Sequence, residues 1–471
     1  MTLAQPARAT AVHPPGPDNE LVDDEAWTST PRWVRLLVLA AIIAVAVSVR
    51  IPFLHIETLD YQAFLSRWYD TLDTGGFGAF RERFADYNYP YLYLIWLLTA
   101  LNIPALIGIK AISILFDLVL GFFAYRIVAL RTTRFWLRAL AFGIVVLLPS
   151  VIANSAWWGQ ADAVYSAFVL GGVYFLMRAQ RESVRANSVW ACVMFGLAIS
   201  FKLQAIFVLP VLAWLLLRRR LPWYSLFAIP LVFLLLDLPA VLAGASLDTA
   251  LSVYLDQTGS YKQLTLGAAN LYQLIPIDGD ATWLAHLGIV AAAALIVVFL
   301  VWSVWRKPVV TPTSILVVAT ASAVVVPFLL PAMHDRYFYT AEVLSVVMAF
   351  YLPLRFVLIP ILIQAAAIGV YHSSLTGDQG RLIGGPGGGG RPGGGAGSGG
   401  GPGGSGGPGL ADGGQHGPPG GGGGGGAGGY TSGRGDTALA VYASFMAAAV
   451  LGVCYTVADT VRRTRSQPPT S

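Results

Sequence analysis

The chain reads as an all-α protein that crosses a membrane many times, and three observations predict it. Of its 471 residues, 55% are hydrophobic and only 12% charged, about half the charge of a soluble domain. Several uncharged apolar runs approach the roughly 20 residues needed to cross a bilayer. The basic residues gather in short loops between those runs, which is how helices are oriented in a membrane.

The apolar runs place spans at about 34–53, 104–130, 138–153, 161–178, 187–201, 204–217, 222–245, 282–305, 311–331, 337–354, 356–372 and 437–457. Twelve spans return both termini to one side. Arg32 and Arg35 precede the first span. Arg131, Arg134 and Arg138 share one loop, and Arg178, Arg181 and Arg185 another. Arg218, Arg219 and Arg220 form a third, Arg306 and Lys307 a fourth, and Arg462, Arg463 and Arg465 follow the last span. All fall on one face, so that face and both termini are expected in the cytoplasm of a multi-pass plasma-membrane protein. The segment Tyr89–Leu98 is short, aromatic and opens on Pro90. It is expected to be an interfacial or re-entrant helix with its rings at headgroup level.

This reading divides the chain into a cytoplasmic tail (1–33), a membrane core (34–372), a Gly-rich outer loop (373–436), a last span (437–458) and a basic cytoplasmic tail (459–471). Residues 384–429 hold 30 glycines in 46 positions, with no apolar surface to offset ordering, so a flexible loop is expected. The polar first 30 residues make the first apolar run a retained span rather than a cleaved leader. Cys192 and Cys454 have no metal or disulfide spacing and are expected to be free thiols. The net charge of +5 bears on loop orientation, not on nucleic acid.

Under this topology the unusual polar groups share the outer face. Asp60 lies seven residues beyond the first span. Asp86, Tyr87 and Asn88 lie in the same outer loop. Trp157, Trp158, Gly159, Gln160 and Asp162 form the turn between the third and fourth spans. Lys202 and Gln204 lie between the fifth and sixth, and His334, Asp335, Arg336 and Tyr337 follow the ninth. Each has a purely structural alternative. Asp60 can cap a helix, as can Gln160 or Asp162, and Lys202 or Arg336 can reach lipid headgroups. Independent structural roles need not choose one face, and that coincidence favours a site. Asp117 and Asp237 lie deeper and are expected to pair with neighbouring helices. Glu342 is the expected ion-pair partner of Arg336.

The chemistry follows from residue type. A carboxylate above the membrane, Asp60, can serve as general base toward a hydroxyl. Arg336, with Lys202 or His334, can hold a phosphate and stabilise it as it leaves. Trp158, Gln160, Asp162, Gln204, Tyr87, Asn88, Asp335 and Tyr337 complete the expected substrate-binding set. A phosphate at the membrane surface belongs to a lipid. The expected reaction moves a sugar from a polyprenyl-phosphate donor to an acceptor hydroxyl on a glycan, glycolipid or protein.

The stretches LDYQAFLSRWYDTLDTGGFGAF, FADYNYPYLYLIWLL, NSAWWGQADAVYSAFVL, LAISFKLQAIFVLPVLAWLL and MHDRYFYTAEVLS carry a resemblance. Together they resemble bacterial membrane mannosyltransferases related to the second GPI mannosyltransferase, within the GT-C class of polyprenyl-phosphate-dependent glycosyltransferases. The resemblance runs from about residue 55 to 350. It implies the GT-C fold, Asp60 as the catalytic acid–base group and a lipid-phosphate mannose donor. Eukaryotic relatives often carry paired acids in that loop, whereas Tyr61 follows Asp60 here. Use of a divalent cation, Mg²⁺ or Mn²⁺, is therefore left open. A transporter or lipid flippase is the alternative from another class. It would show internal repeats meeting at mid-membrane, and no repeat is evident.

Overall fold

A computed structural model describes residues 30–259, 261–377 and 429–465. The N-terminal tail to residue 29, residues 378–428 of the Gly-rich segment and residues 466–471 lie outside the described residues. The helices run α1 (Arg32–Ser48), α2 (Ser66–Gly75), α3 (Tyr89–Ala100), α4 (Ala105–Ala129), α5 (Phe135–Leu147), α6 (Pro149–Ile152), α7 (Asp162–Ala179) and α8 (Val184–Phe201). They continue as α9 (Pro210–Leu217), α10 (Ala228–Leu242), α11 (Leu247–Gly259), α12 (Thr282–Arg306), α13 (Pro312–Leu329), α14 (Tyr339–Ala349), α15 (Leu358–Thr376) and α16 (Thr437–Arg465).

Among the described residues eight helices are long and apolar enough to cross a membrane. They contain α1, α4, α8, α10, α12, α13, α15 and α16. A ninth forms if α5 and the helical segment Pro149–Trp158 count as one span bent by 46°. The bend has a local cause. Leu148 takes ψ 129°, because the residue before a proline is pushed out of the helical region. The other expected spans are also helical. However, α9 and α14 are short, and α7 carries Asp162 and Arg178 near its ends. Lys202 explains the break before α9: its extended backbone (φ −157°, ψ 134°) ends α8.

The core centres on α7, where Val164, Ala167, Leu170, Val173 and Met177 are all fully enclosed. Close approach to α8 requires Gly172. A Cβ there would stand 2.7 Å from Phe195 Cε2. Small residues let helix backbones meet in this way in membranes.

The first outer loop builds its own aromatic core. Phe80, Leu72, Trp68 and Tyr91 are buried in it, and Phe77 packs edge-on against Phe80 at 4.9 Å and Trp96 at 5.0 Å. The expectation that the α3 aromatics sit in the headgroup zone fails for Tyr89 and Tyr91. Tyr89 and Tyr91 are buried by protein, because α2 and the turn Gly76–Arg81 fold back over them.

Two buried cations pin this region. Arg50 donates to Asp117 Oδ2 at 2.8 Å, to the Ala46 carbonyl at 2.7 Å and to the Val146 carbonyl at 2.8 Å. Asp117 also accepts from Tyr339 at 3.3 Å, so it pairs with other helices as expected. Lys110 Nζ donates to the carbonyls of Phe53 at 2.7 Å and Ile56 at 2.6 Å. It thereby fixes where the chain leaves α1 and starts toward Asp60.

The all-α expectation misses a small parallel sheet of order β2-β1-β3. Its strands are β1 (Gln263–Leu266), β2 (Met333–His334) and β3 (Thr431–Arg434). Leu266 registers with His334 on one side and with Arg434 on the other. The described margins of the expected flexible loop are therefore ordered. Residues 373–376 continue α15, and 431–434 form β3.

Candidate active site

Four backbone breaks converge where helices end. The segment after α1 carries Asp60. A π-helical turn, Ala153–Trp158, brings in Trp158, and the turn beyond it brings Gln160 and Asp162. The α8 terminus carries Lys202, and the break between α13 and α14 carries His334 to Tyr337. Gly159 makes the second of these possible. It takes the left-handed conformation (φ 78°), which glycine adopts without steric cost. A Cβ there would meet Lys110 Cγ only in ordinary contact, at 3.4 Å, so the backbone conformation is what calls for glycine.

Asp60 Oδ2 accepts from Trp158 Nε1 at 3.0 Å and from Gln160 Nε2 at 2.9 Å, and Arg336 Nη1 lies at 3.4 Å. Asp60 makes no helix-capping bond. Asp162 is enclosed. Its Oδ1 is paired with Lys202 Nζ, its Oδ2 accepts from Asn154 Nδ2 at 2.9 Å, and Arg336 Nε stands 3.5 Å away. Neither Lys202 nor Arg336 reaches outward as a headgroup anchor, since their side chains are 7% and 14% exposed. Arg336 also lies 5.2 Å above the Trp158 ring, and Lys202 stands 5.4 Å from the Tyr87 ring. Burial disfavours the Arg336 charge, but Asp60, Tyr87, Asp162 and Asp335 outweigh it and hold its pKa above the ordinary value.

Two sequence expectations need correction. His334 is not a cation. Burial and the neighbouring Arg336 and Lys202 charges push it down to about 3, so at neutral pH its imidazole is uncharged, wedged against Tyr261 at 4.9 Å and Tyr337 at 5.1 Å. Glu342 is not the partner of Arg336. It is fully buried, it accepts from Tyr371 at 3.2 Å, and the guanidinium instead stands between Asp60 and Asp162 at the start of α7.

Asp335 accepts from Ser374 Oγ at 2.6 Å and lies 3.7 Å from Arg336. Burial raises it to about 6. Asn88 turns away from Asp60, toward Ser200 and Asp237. Gln204 is buried with its carbonyl oxygen unpaired among the described residues, and none of its described bonds joins it to the Asp60 cluster. Of the other acids in the first outer loop, Asp70, Asp73 and Glu82 are exposed. Glu57 is exposed and accepts from Gln62 at 2.7 Å.

Asn154, Tyr165 and Arg434 escaped sequence reasoning. Asn154 sits eight residues before Asp162, inside NSAWWGQAD, and the turn geometry was its only signal. Tyr165 faces the Lys202 ammonium at 5.9 Å. Arg434 arrives from β3 and donates to Ser373 Oγ at 3.1 Å.

Asp60 Oδ2 is met by an indole N–H, an amide N–H and a guanidinium. Among the described residues no three acids, histidines or cysteines cluster in a metal-binding arrangement. The chemistry these residues suit is proton acceptance beside a cation-lined anion site. Comparison of the chain with protein-family models, with curated proteins and with solved structures finds no match in any of the three.

Proposed function

We propose that the protein is an inverting glycosyltransferase of the outer membrane face, transferring a sugar, mannose by resemblance, from a polyprenyl phosphate to an acceptor hydroxyl. One observation carries the reading: a partly open carboxylate, Asp60, shares a guanidinium with the buried Asp162–Lys202 pair at the ends of membrane-crossing helices. Asp60 takes the proton of the acceptor hydroxyl as that oxygen bonds to the anomeric carbon. The bond from that carbon to the phosphate oxygen breaks on the opposite side. Arg336, with Lys202 behind it, stabilises the departing polyprenyl phosphate. Tyr87 and Tyr337 offer aromatic surface to the sugar, while Trp158, fully buried, backs Arg336, and neutral His334 spaces Tyr337 from Tyr261. The mechanism routes no step through a metal.

The transporter reading has less to recommend it, because the polar groups meet at helix ends while the deeper Arg50–Asp117 pair is closed by hydrogen bonds. The basic-loop distribution supports a multi-pass plasma-membrane protein with both termini inside, and the resemblance implies a GT-C arrangement, here of about twelve spans. The test is reconstitution in liposomes with a panel of radiolabelled polyprenyl-phosphate sugars and an envelope acceptor extract. Transfer from one donor is the expected result. Transbilayer movement of the lipid without transfer would overturn it.

A further inference from the structure

Asp335 lies between two arginines. Arg336 Nη1 stands 3.7 Å from Asp335 Oδ1 and 3.4 Å from Asp60 Oδ2, so two carboxylates share one nitrogen. The second arginine, Arg434, comes from β3, on the far side of the Gly-rich segment. Gly433 lets β3 lie close to β1. It is left-handed (φ 86°), and a Cβ on it would stand 2.1 Å from the Thr265 carbonyl oxygen, so only glycine fits. The Arg434 backbone is then fixed by its register with Leu266 and by Gln273 Nε2, which donates to its carbonyl at 2.8 Å. A Cβ on Gly267 would lie 3.5 Å from Arg434 Nη1 and 3.7 Å from Asp335 Cβ. The guanidinium and the Asp335 side chain therefore flank one point.

The end of α15 ties the two together. Arg434 Nη2 donates to Ser373 Oγ at 3.1 Å, and the next residue, Ser374, donates through its Oγ to Asp335 Oδ2 at 2.6 Å. Asp335 is 9% exposed, and the Asp60 charge works against its own, while Arg336 and Arg434 both favour it. Its Oδ1 accepts no hydrogen bond among the described residues. What it exerts on Arg336 is therefore the pull of a charge, and that pull depends on the carboxylate staying ionised and in place. Without it, only Asp60 remains of the two carboxylates at Nη1. The guanidinium would close on the base and be less available to a phosphate.

We propose that Arg434 is a positioning residue of the anion site: it holds Asp335, and Asp335 holds Arg336 off the Asp60 carboxylate and open to a phosphate. This rests on Arg336 being the phosphate-binding cation of the glycosyltransferase reading. The small sheet then has a task, which is to deliver an arginine from beyond the Gly-rich segment to the rim of the site.

The test uses the full chain in nanodiscs of neutral lipid. Farnesyl phosphate is the probe and farnesol its uncharged control, each titrated calorimetrically with empty nanodiscs subtracted. Wild type should bind the phosphate and not the alcohol. Arg434→Gln should lose roughly fivefold in affinity, and Arg434→Lys, which keeps the charge, should stay within about twofold of wild type. Asp335→Asn should lose as much as Arg434→Gln, and the double variant no more than either single one, because both break one chain of contacts. Arg434→Gln binding like wild type would overturn the positioning role. So would losses that multiply in the double variant, or equal losses in Arg434→Gln and Arg434→Lys. Coupled losses with no transfer from any donor would keep the positioning and remove the transferase. Transfer with an unchanged donor KM in Arg434→Gln would keep the transferase and remove the positioning. Equal binding of farnesyl phosphate and farnesol by wild type would remove the anion site, and the proposal with it.

Discussion

Arg336 stands between two aspartates, with Nη1 3.4 Å from Asp60 and Nε 3.5 Å from Asp162. The two acids come from chain segments 102 residues apart, and one planar side chain meets both. A lysine's single ammonium could pair with one but not span the two. The first prediction follows from that fork. Arg336→Lys should raise the donor KM while retaining measurable turnover, and Arg336→Ala should nearly abolish transfer. Steady-state kinetics over a donor series checks it, with circular dichroism confirming that both variants fold. Unchanged donor KM in Arg336→Ala would sink the assignment.

Asp60→Asn preserves an oxygen to accept from Trp158 and Gln160 but removes basicity. Turnover should drop roughly 10²–10⁴-fold, the usual worth of a general base, with donor binding retained. Glu57→Gln, Asp70→Asn and Asp73→Asn should stay within a few-fold of wild type, because those acids are exposed and away from Arg336. A dead Glu57→Gln beside an active Asp60→Asn would move the base to Glu57.

His334 and Asp335 have opposite effects on stability as pH changes. His334 is lowered from 6.5 to about 3. The unfolded chain binds its proton more readily, so this group's contribution is complete above pH 6.5 and is lost as pH falls toward 3. Asp335 is raised from 3.8 to about 6. The folded chain binds that proton more readily, so its contribution falls as pH rises from about 4 to 6. Thermal unfolding from pH 3.5 to 7 should therefore show His334→Gln losing part of the acid sensitivity and Asp335→Asn gaining some. Parallel curves for wild type and both variants would contradict the two shifts.

Arg50→Met should destabilise the protein by about 3–5 kcal/mol, because it leaves the buried Asp117 carboxylate without its cation. Pairing it with Asp117→Leu should recover much of that loss, since apolar replacement of a whole buried pair is often tolerated. The comparison is of apparent melting temperatures in one detergent. Equal losses for the single and double variants would mean that Arg50 acts through its carbonyl contacts rather than through Asp117.

Much of the site was legible because its residues interrupt apolar sequence. Asp60, the Trp158–Asp162 turn, Lys202 and Arg336 all fall in short breaks between runs, and breaks between helices meet at helix ends. Arg50 was hidden because it closes an apolar run and looks like part of a span. Lys110 was hidden inside one for the same reason. The aromatics of α3 were misassigned to lipid because Tyr and Trp suit headgroups and protein cores equally, and only the fold-back of α2 decides between them. The sheet left no trace, since its strands are two to four residues long and their pairing joins segments far apart in sequence. The protonation state of His334 also required three dimensions, because Lys202, one of the charges that suppresses it, is 132 residues away.

Arg434 Nη2 bonds to Ser373 and would lie 3.8 Å from a Cβ on Gly377, so both borders of the Gly-rich segment are fastened side by side. A segment entered and left through one gate can change its length with little effect on the fold, because closure entropy grows only slowly with length. An experimenter can use the same gate as a port, inserting an epitope or a fluorescent domain between residues 378 and 428 to report which side of the membrane this end of the molecule faces.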